Sequence, residues 1–254
     1  MNKVLKEKIK QVIVLLIIVI AFGITLSIMF KYKTEGESKL PFNLSKIMIV
    51  SSAEAESKDE NPNNNKWNLD INQYNDIYIE ISKNEDYSAS AYSGGSQYTY
   101  IKSVKIENIN ISKPNKGTIY KYMPYSQENK LFSYEDNYEI TDSLTFQGAE
   151  TNNTKQLQIS NQGGTVLFRI VNKDVSEFVS DGDDEISYDG TLLEKTGVIL
   201  DDIKVSVSFD LVIETDKTTY RGKINFILPC GNIQTEGVSQ QVITDFSNVV
   251  FKRE

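Results

Sequence analysis

Histidine is absent from the 254 residues, cysteine occurs once, at Cys230, and proline only five times. Each shortage excludes something. Without histidine there is no imidazole base, no Ser-His or Cys-His nucleophile pair, and the commonest zinc ligand is missing. Carboxylates are plentiful, but none stands in a recognisable glycosidase context, so the sequence predicts a protein that is not an enzyme. A single cysteine forms no intramolecular disulfide, which leaves folding to core burial alone. With no cysteine just after the N-terminal apolar run, a lipoprotein is excluded. Cys230 itself, between Pro229 and Gly231, reads as a small packing residue.

Positive charge is scarce after the N-terminus. Residues 1–33 hold six lysines and one acid, so a whole-chain charge of −8 leaves −13 for the remaining 221 residues. So acidic a surface repels phosphate polymers, which argues against nucleic acid and anionic wall polymers as partners.

The longest apolar run, Val12 to Phe30, contains no charged residue. Its nineteen positions rise roughly 28 Å as a helix, close to the ~30 Å hydrocarbon core of a bilayer. Because the run is apolar all round rather than striped, it predicts a membrane anchor in contact with lipid over residues 11–31. Lys3, Lys6, Lys8 and Lys10 place residues 1–10 on the cytoplasmic side. A cleaved signal peptide is disfavoured: the run exceeds the usual 7–15 residues, and Ala53-Glu54-Ala55, the nearest small-x-small site, lies far past its end. Residues 32–39 then read as a spacer and 40–254 as an extracytoplasmic β-rich domain. So short an inner segment leaves no room for a signalling domain.

Period-two alternation dominates that domain. Leu40 to Ser52 predicts a first strand, and Ser51 to Asn65 a polar loop. Trp67, Leu69 and Ile71 predict one strand, Ile77, Ile79 and Ile81 another, with Asn75-Asp76 turning between them. In Val104, Ile106, Ile109 and Ile111 the apolar phase slips by one, which predicts a bulge near Asn108. Leu144 with Phe146, and Leu157 with Ile159, mark two short strands. Val166 to Val171 is apolar on both faces apart from Arg169 and reads as central. Ile203 to Ile213 and Tyr220 to Leu228, joined at Thr215-Asp216-Lys217-Thr218, predict a long hairpin that Pro229 ends. A single short helix is expected, with Thr191 capping Leu192 to Lys195, Glu194 completing a capping box and Gly197 terminating it. Together these predict a mainly β chain: an antiparallel β-sandwich, one large or two packed modules, behind one transmembrane helix. If there are two modules, they divide near residues 161–164.

Two composition signals bear on function. Eleven of the fourteen tyrosines lie between Tyr74 and Tyr138. Tyr87, Tyr92, Tyr98 and Tyr100 flank Ser93-Gly94-Gly95-Ser96, and Tyr120, Tyr122 and Tyr125 form a second group. Rigid amphipathic rings among adaptable neighbours suit a binding surface for a protein or glycan, although tyrosine is also a common strand residue. Asp181, Asp183 and Glu185 offer alternating carboxylates to Ca²⁺, without the spacing of an EF-hand loop. A solvated turn is the competing explanation, and no cofactor is expected.

The anchor, Leu40-Pro41-Phe42 with its following strand, and the stretch from Ile227-Leu228-Pro229 through Val249-Val250-Phe251-Lys252 resemble uncharacterised single-span, β-rich proteins of AT-rich Gram-positive bacteria. That resemblance implies class and location and brings no activity with it. The expected function is a membrane-anchored cell-envelope protein whose outward domain binds a protein or glycan. Alternatives are a structural or assembly subunit of an envelope complex and, third, a wall-glycan hydrolase.

Overall fold

The computed structural model describes residues 3–37, 39–58, 67–87, 99–126, 131–148, 157–180 and 190–254. Helix α1 (Lys3–Glu35) opens the chain. Within its segment Lys10–Glu35 an 18-residue stretch has a mean hydropathy of 3.1 and nothing buried against the rest of the protein, so the helix is long and apolar enough to cross a membrane. It runs through the predicted spacer as far as Glu35, where Gly36 in the left-handed region (φ 68°) ends it.

The remaining described chain is mostly strand. In order these are β1 (Phe42–Ser57), β2 (Asn68–Lys83), β3 (Ile101–Ile111), β4 (Thr118–Tyr122), β5 (Pro124–Ser126), β6 (Leu131–Phe132), β7 (Ser143–Gly148), β8 (Gln158–Ile159), β9 (Gly163–Val179), β10 (Ser206–Thr215), β11 (Thr219–Ile227), β12 (Val238–Ile243) and β13 (Phe251–Arg253). One sheet runs β12-β1-β2-β9-β4, a second β13-β11-β10-β3-β7-β8, and β5 pairs with β6 in a small separate ladder. Neighbours are antiparallel except β7 and β8. The two large sheets pack face to face over one apolar cluster that draws on residues from Phe42 to Phe251. Its centre is aromatic: Phe168 of the first sheet meets Phe209 of the second edge-on at 5.6 Å.

The bulge appears where the apolar phase slips. Asn108 adopts φ 53° and the β3/β10 register shifts between Ser208 and Asp210. The long hairpin of β10 and β11 also forms as expected, and β9 lies inside its sheet between β2 and β4.

Three local expectations are corrected. The polar stretch after Ser51 continues β1 as far as Ser57, because Ser51, Ala53 and Ala55 are small enough to be buried while Glu54 and Glu56 point to solvent. No turn forms at Asn75-Asp76: β2 is one strand, and Leu69, Ile71, Gln73, Asn75, Ile77, Ile79 and Ile81 share one buried face. Helix α2 (Thr191–Lys195) exists, with Gly197 left-handed beyond it, but Gly190 occupies the N-cap position and no side-chain cap bond forms. A further helix, α3 (Ile233–Glu236), was not expected.

The three inner strands of the first sheet outrun those of the second: β1, β2 and β9 have 16, 16 and 17 residues, against 11 in β3, 10 in β10 and 9 in β11. The overhang is covered by α2 and α3, which close a second apolar cluster of Ala53, Ala55, Leu69, Ile71, Leu192, Leu193 and Ile233. Between the two clusters runs a buried polar seam. Ser51 donates to Asn75 Oδ1 at 2.7 Å, and Asn75 donates to the Ile170 carbonyl at 3.1 Å. Gln73 and Asn172 lie opposite each other in the β2/β9 ladder, each with a carbonyl oxygen unpartnered among the described residues. Unmet acceptors cost about 1–3 kcal/mol each, so the seam is held at a cost to stability.

Replacing Phe209, which is fully buried and also meets Phe226 edge-on at 6.0 Å, tests the shared core. Phe209→Ala is expected to lose about 3–5 kcal/mol of unfolding free energy by denaturant titration, with the loss carried by both sheets in one transition.

Candidate functional site

The outward face of the five-stranded sheet carries aromatic and cationic side chains where an antiparallel sheet in water would ordinarily be polar. Antiparallel register builds the arrangement. Tyr120 of β4, Val171 of β9 and Tyr74 of β2 lie in one cross-strand row; Tyr122, Arg169 and Asp76 form the next. Strands about 4.8 Å apart bring such neighbours into side-chain contact. The small β5/β6 ladder folds over these rows and adds Phe132, followed by Tyr134.

Arg169 ties the cluster together. Its Nε and Nη2 donate to the two oxygens of Asp76 at 2.6 and 2.8 Å, and its Nη1 donates to the Tyr134 hydroxyl at 2.7 Å. The guanidinium carbon sits 4.3 Å from the Phe132 ring centre and 5.3 Å from that of Tyr74. Burial opposes its charge, but the hydrogen-bonded Asp76 carboxylate outweighs that, so the guanidinium is pushed above its ordinary value. With its donors and ring faces engaged, Arg169 is a structural cation.

Lys173 is different. Its ammonium lies 5.1 Å from the centre of Tyr120, 5.5 Å from Tyr134 and 5.8 Å from Tyr122. Among the described residues it makes no ion pair. A half-buried ammonium held by three ring faces remains available to an acceptor supplied from outside.

Buried phenols form the floor. Tyr74 and Tyr122 are each 3% exposed, whereas Tyr134 is 39% exposed and Tyr120 half-buried. Tyr74 donates to Glu56, and burial followed by that carboxylate pushes its phenol well above the ordinary value. Burial likewise raises the phenols of Tyr122 and Tyr134, with Arg169 pulling the latter back.

The tyrosines singled out from sequence do not gather on one patch. Tyr120 and Tyr122 are both in the cluster, stacked with centres 6.3 Å apart. Tyr125 stands edge-on to Tyr138 at 5.4 Å and is 59% exposed. Tyr87 follows β2 and is hydrogen-bonded to Tyr220; the end of β2 that precedes it, at Lys83, is already about 30 Å along the strand from Tyr74 at ~3.3 Å per residue. Tyr100 donates its amide to Asp216 at 3.1 Å. Tyr92 and Tyr98 fall outside the described residues, as do the proposed calcium ligands Asp181, Asp183 and Glu185. No group of three or more His, Cys, Asp or Glu fit to hold a metal occurs among the described residues. Two concavities, of 490 Å³ beside Asn110, Ser206 and Asn225 and of 510 Å³ beside Leu40, Tyr87 and Phe246, include no cluster residue.

Tyr74, Phe132, Tyr134 and Lys173 escaped the sequence reading, and Arg169 was noticed only as an exception. The usable signal was that exception: an arginine in an otherwise apolar interior strand requires a carboxylate from a neighbouring strand, and Asp76 faces it in register.

No protein-family model matches the chain, and the comparisons with curated proteins and with solved structures found no match either.

Two outcomes test this account. Asp76→Ala, which strands Arg169, is expected to cost about 2–3 kcal/mol, below a fully buried pair because both side chains retain about a fifth of their exposure. Tyr74 is held protonated, so its contribution is complete below the unfolded tyrosine value of about 10 and is lost as pH rises beyond it. Denaturation midpoints at about pH 8 and about pH 11 should therefore differ more in the wild type than in Tyr74→Phe.

Proposed function

We propose that this is a membrane-anchored cell-envelope protein, of the single-span, β-rich class it resembles, which binds a protein or glycan partner through the aromatic face of its β-domain. In this proposal α1 is retained as a single-pass anchor, the lysines before it stay in the cytoplasm, and the acidic domain faces outward. Support for an anchor comes from the charge-free run Val12 to Phe30, every non-glycine large side chain of which stands clear of the domain, from 38% exposure at Leu26 to 66% at Phe30.

Lys173 carries the binding proposal: a cation framed by Tyr120, Tyr122 and Tyr134, with no carboxylate from the described chain. Half-exposed rings with a fixed floor lose little entropy on contact and suit both sugar faces and peptide side chains. The acidity of the domain disfavours strongly anionic polymers, so the favoured partner is neutral or zwitterionic.

Assembly is the second reading. It is supported by the exposure of α1 on all sides, which leaves that helix open to other helices as well as to lipid.

Full-length protein in nanodiscs, tested against arrayed envelope glycans and isolated envelope proteins, separates the two. Tyr120→Ala and Tyr134→Ala are each expected to weaken capture by about tenfold, the worth of one stacked ring. Unchanged capture by both variants would sink the binding face. Replacing α1 with an unrelated apolar helix should leave capture intact; loss of partners on that exchange favours assembly.

A further inference from the structure

We propose that strand β13 is a lipid-facing edge, held by the end of α1 within the headgroup layer so that the domain rests on the bilayer in a fixed orientation. This rests on the reading of α1 as a retained anchor.

The helical rise sets the depth. The apolar run ends at Phe30, and Tyr32 lies two residues further, about 3 Å along the axis. On each side of the hydrocarbon core the headgroup layer is about 5–8 Å deep. Within that distance the chain is already bound to β13: the Arg253 amide donates to the Tyr32 hydroxyl at 2.9 Å. Tyrosine is itself a residue of this interfacial zone.

Two more contacts remove the freedom of a linker. Glu37 donates its amide to the Phe251 carbonyl at 2.9 Å, and its carboxylate pairs with Arg253 at 3.0 Å. Between these contacts Gly36 returns its amide to the Tyr32 carbonyl at 2.9 Å. A Cβ at Gly36 would lie 2.3 Å from the Phe251 carbonyl oxygen, so helix and strand meet at backbone distance. Phe251 in turn packs edge-on against Phe42 at 5.1 Å, which carries the connection into the core.

Charge at this edge fits phospholipid. Lys31 pairs with Glu35, Arg253 with Glu37, and Arg221 with Glu254. Lys33, Lys39 and Lys252 make no ion pair among the described residues and are free to meet lipid phosphates. On a domain with so large an acidic excess, three unpaired lysines beside the anchor form a local exception.

The test uses the full chain with Cys230→Ser, reconstituted in nanodiscs of phosphatidylcholine and phosphatidylglycerol that contain a headgroup nitroxide lipid. A fluorophore is placed at Lys252→Cys, at Lys39→Cys as a second position near the anchor, or at Asn232→Cys. Asn232 is exposed at the N-terminal end of α3, whose Ile233 packs in the apolar cluster of Ala55, about 40 Å along β1 from Phe42. Labels at 252 and 39 are expected to lose several-fold more emission than the label at 232, and Tyr32→Phe with Glu37→Ala should reduce that difference. Equal quenching at all three positions overturns the inference while leaving the anchor standing, provided that alkaline carbonate fails to extract the protein from its membranes. Extraction by carbonate overturns the anchor reading and this inference with it.

Discussion

Everything in the domain follows from a mismatch in length between two sheets that must bury the same kind of face. β1, β2 and β9 are nearly twice as long as β10 and β11, so the second sheet covers only part of the first. An uncovered apolar strip would expose Leu69 and Ile71 to water at roughly 1.5–3 kcal/mol for each large side chain. Short helices after β9 and before β12 supply the missing cover, and the polar seam of Ser51, Gln73, Asn75 and Asn172 marks the join between the two cores. The seam keeps its register because side chains and backbone from three strands hydrogen-bond there.

The same long strands explain why the outer face became an aromatic surface. Arg169 stands on the outer face of β9, but Phe132 and Tyr134 fold over it and leave its side chain only about a fifth exposed. It is satisfied by Asp76 across one ladder and by Tyr134 above, and the rings of Tyr74 and Phe132 then find a cation to pack on. Lys173, two rows further along β9, inherits an aromatic surround with no ion pair among the described residues. A structural ion pair and an available cation thus stand side by side, and the second is where we place recognition.

The aromatic face and the β13 edge lie far apart on the domain. Ser52, level with Tyr74 in the β1/β2 ladder, is about 33 Å along β1 from Phe42, which packs on Phe251. On the proposed anchoring, a domain joined to α1 at one end and carrying its candidate binding face well away from that end presents the face in a constant direction, which a flexible tether would not do.

Much of this was legible in the sequence. The apolar helix, the β10/β11 hairpin, the bulge at Asn108 and the β-sandwich class follow from length, phase and turn chemistry, which are local properties of the backbone. Where polar residues lie on a buried face, alternation of hydrophobicity ceased to report side-chain direction: Asn75 looked like a turn, and the stretch after Ser51 looked like a loop. Asn75 is accommodated inside because Ser51 and the carbonyl of Ile170, 24 and 95 residues away, complete its hydrogen bonds. The aromatic cluster shares that dependence, since Tyr74, Tyr120, Tyr134 and Lys173 come together only through the β2-β9-β4 order and the fold-over of β5 and β6. The sequence by itself determined most of the elements, the long apolar helix among them, because their causes lie within a few residues of one another. Only the tertiary structure decided which polar residues are inside, which tyrosines meet and where the helix ends on the domain, because each depends on partners brought close by strand order rather than by chain distance.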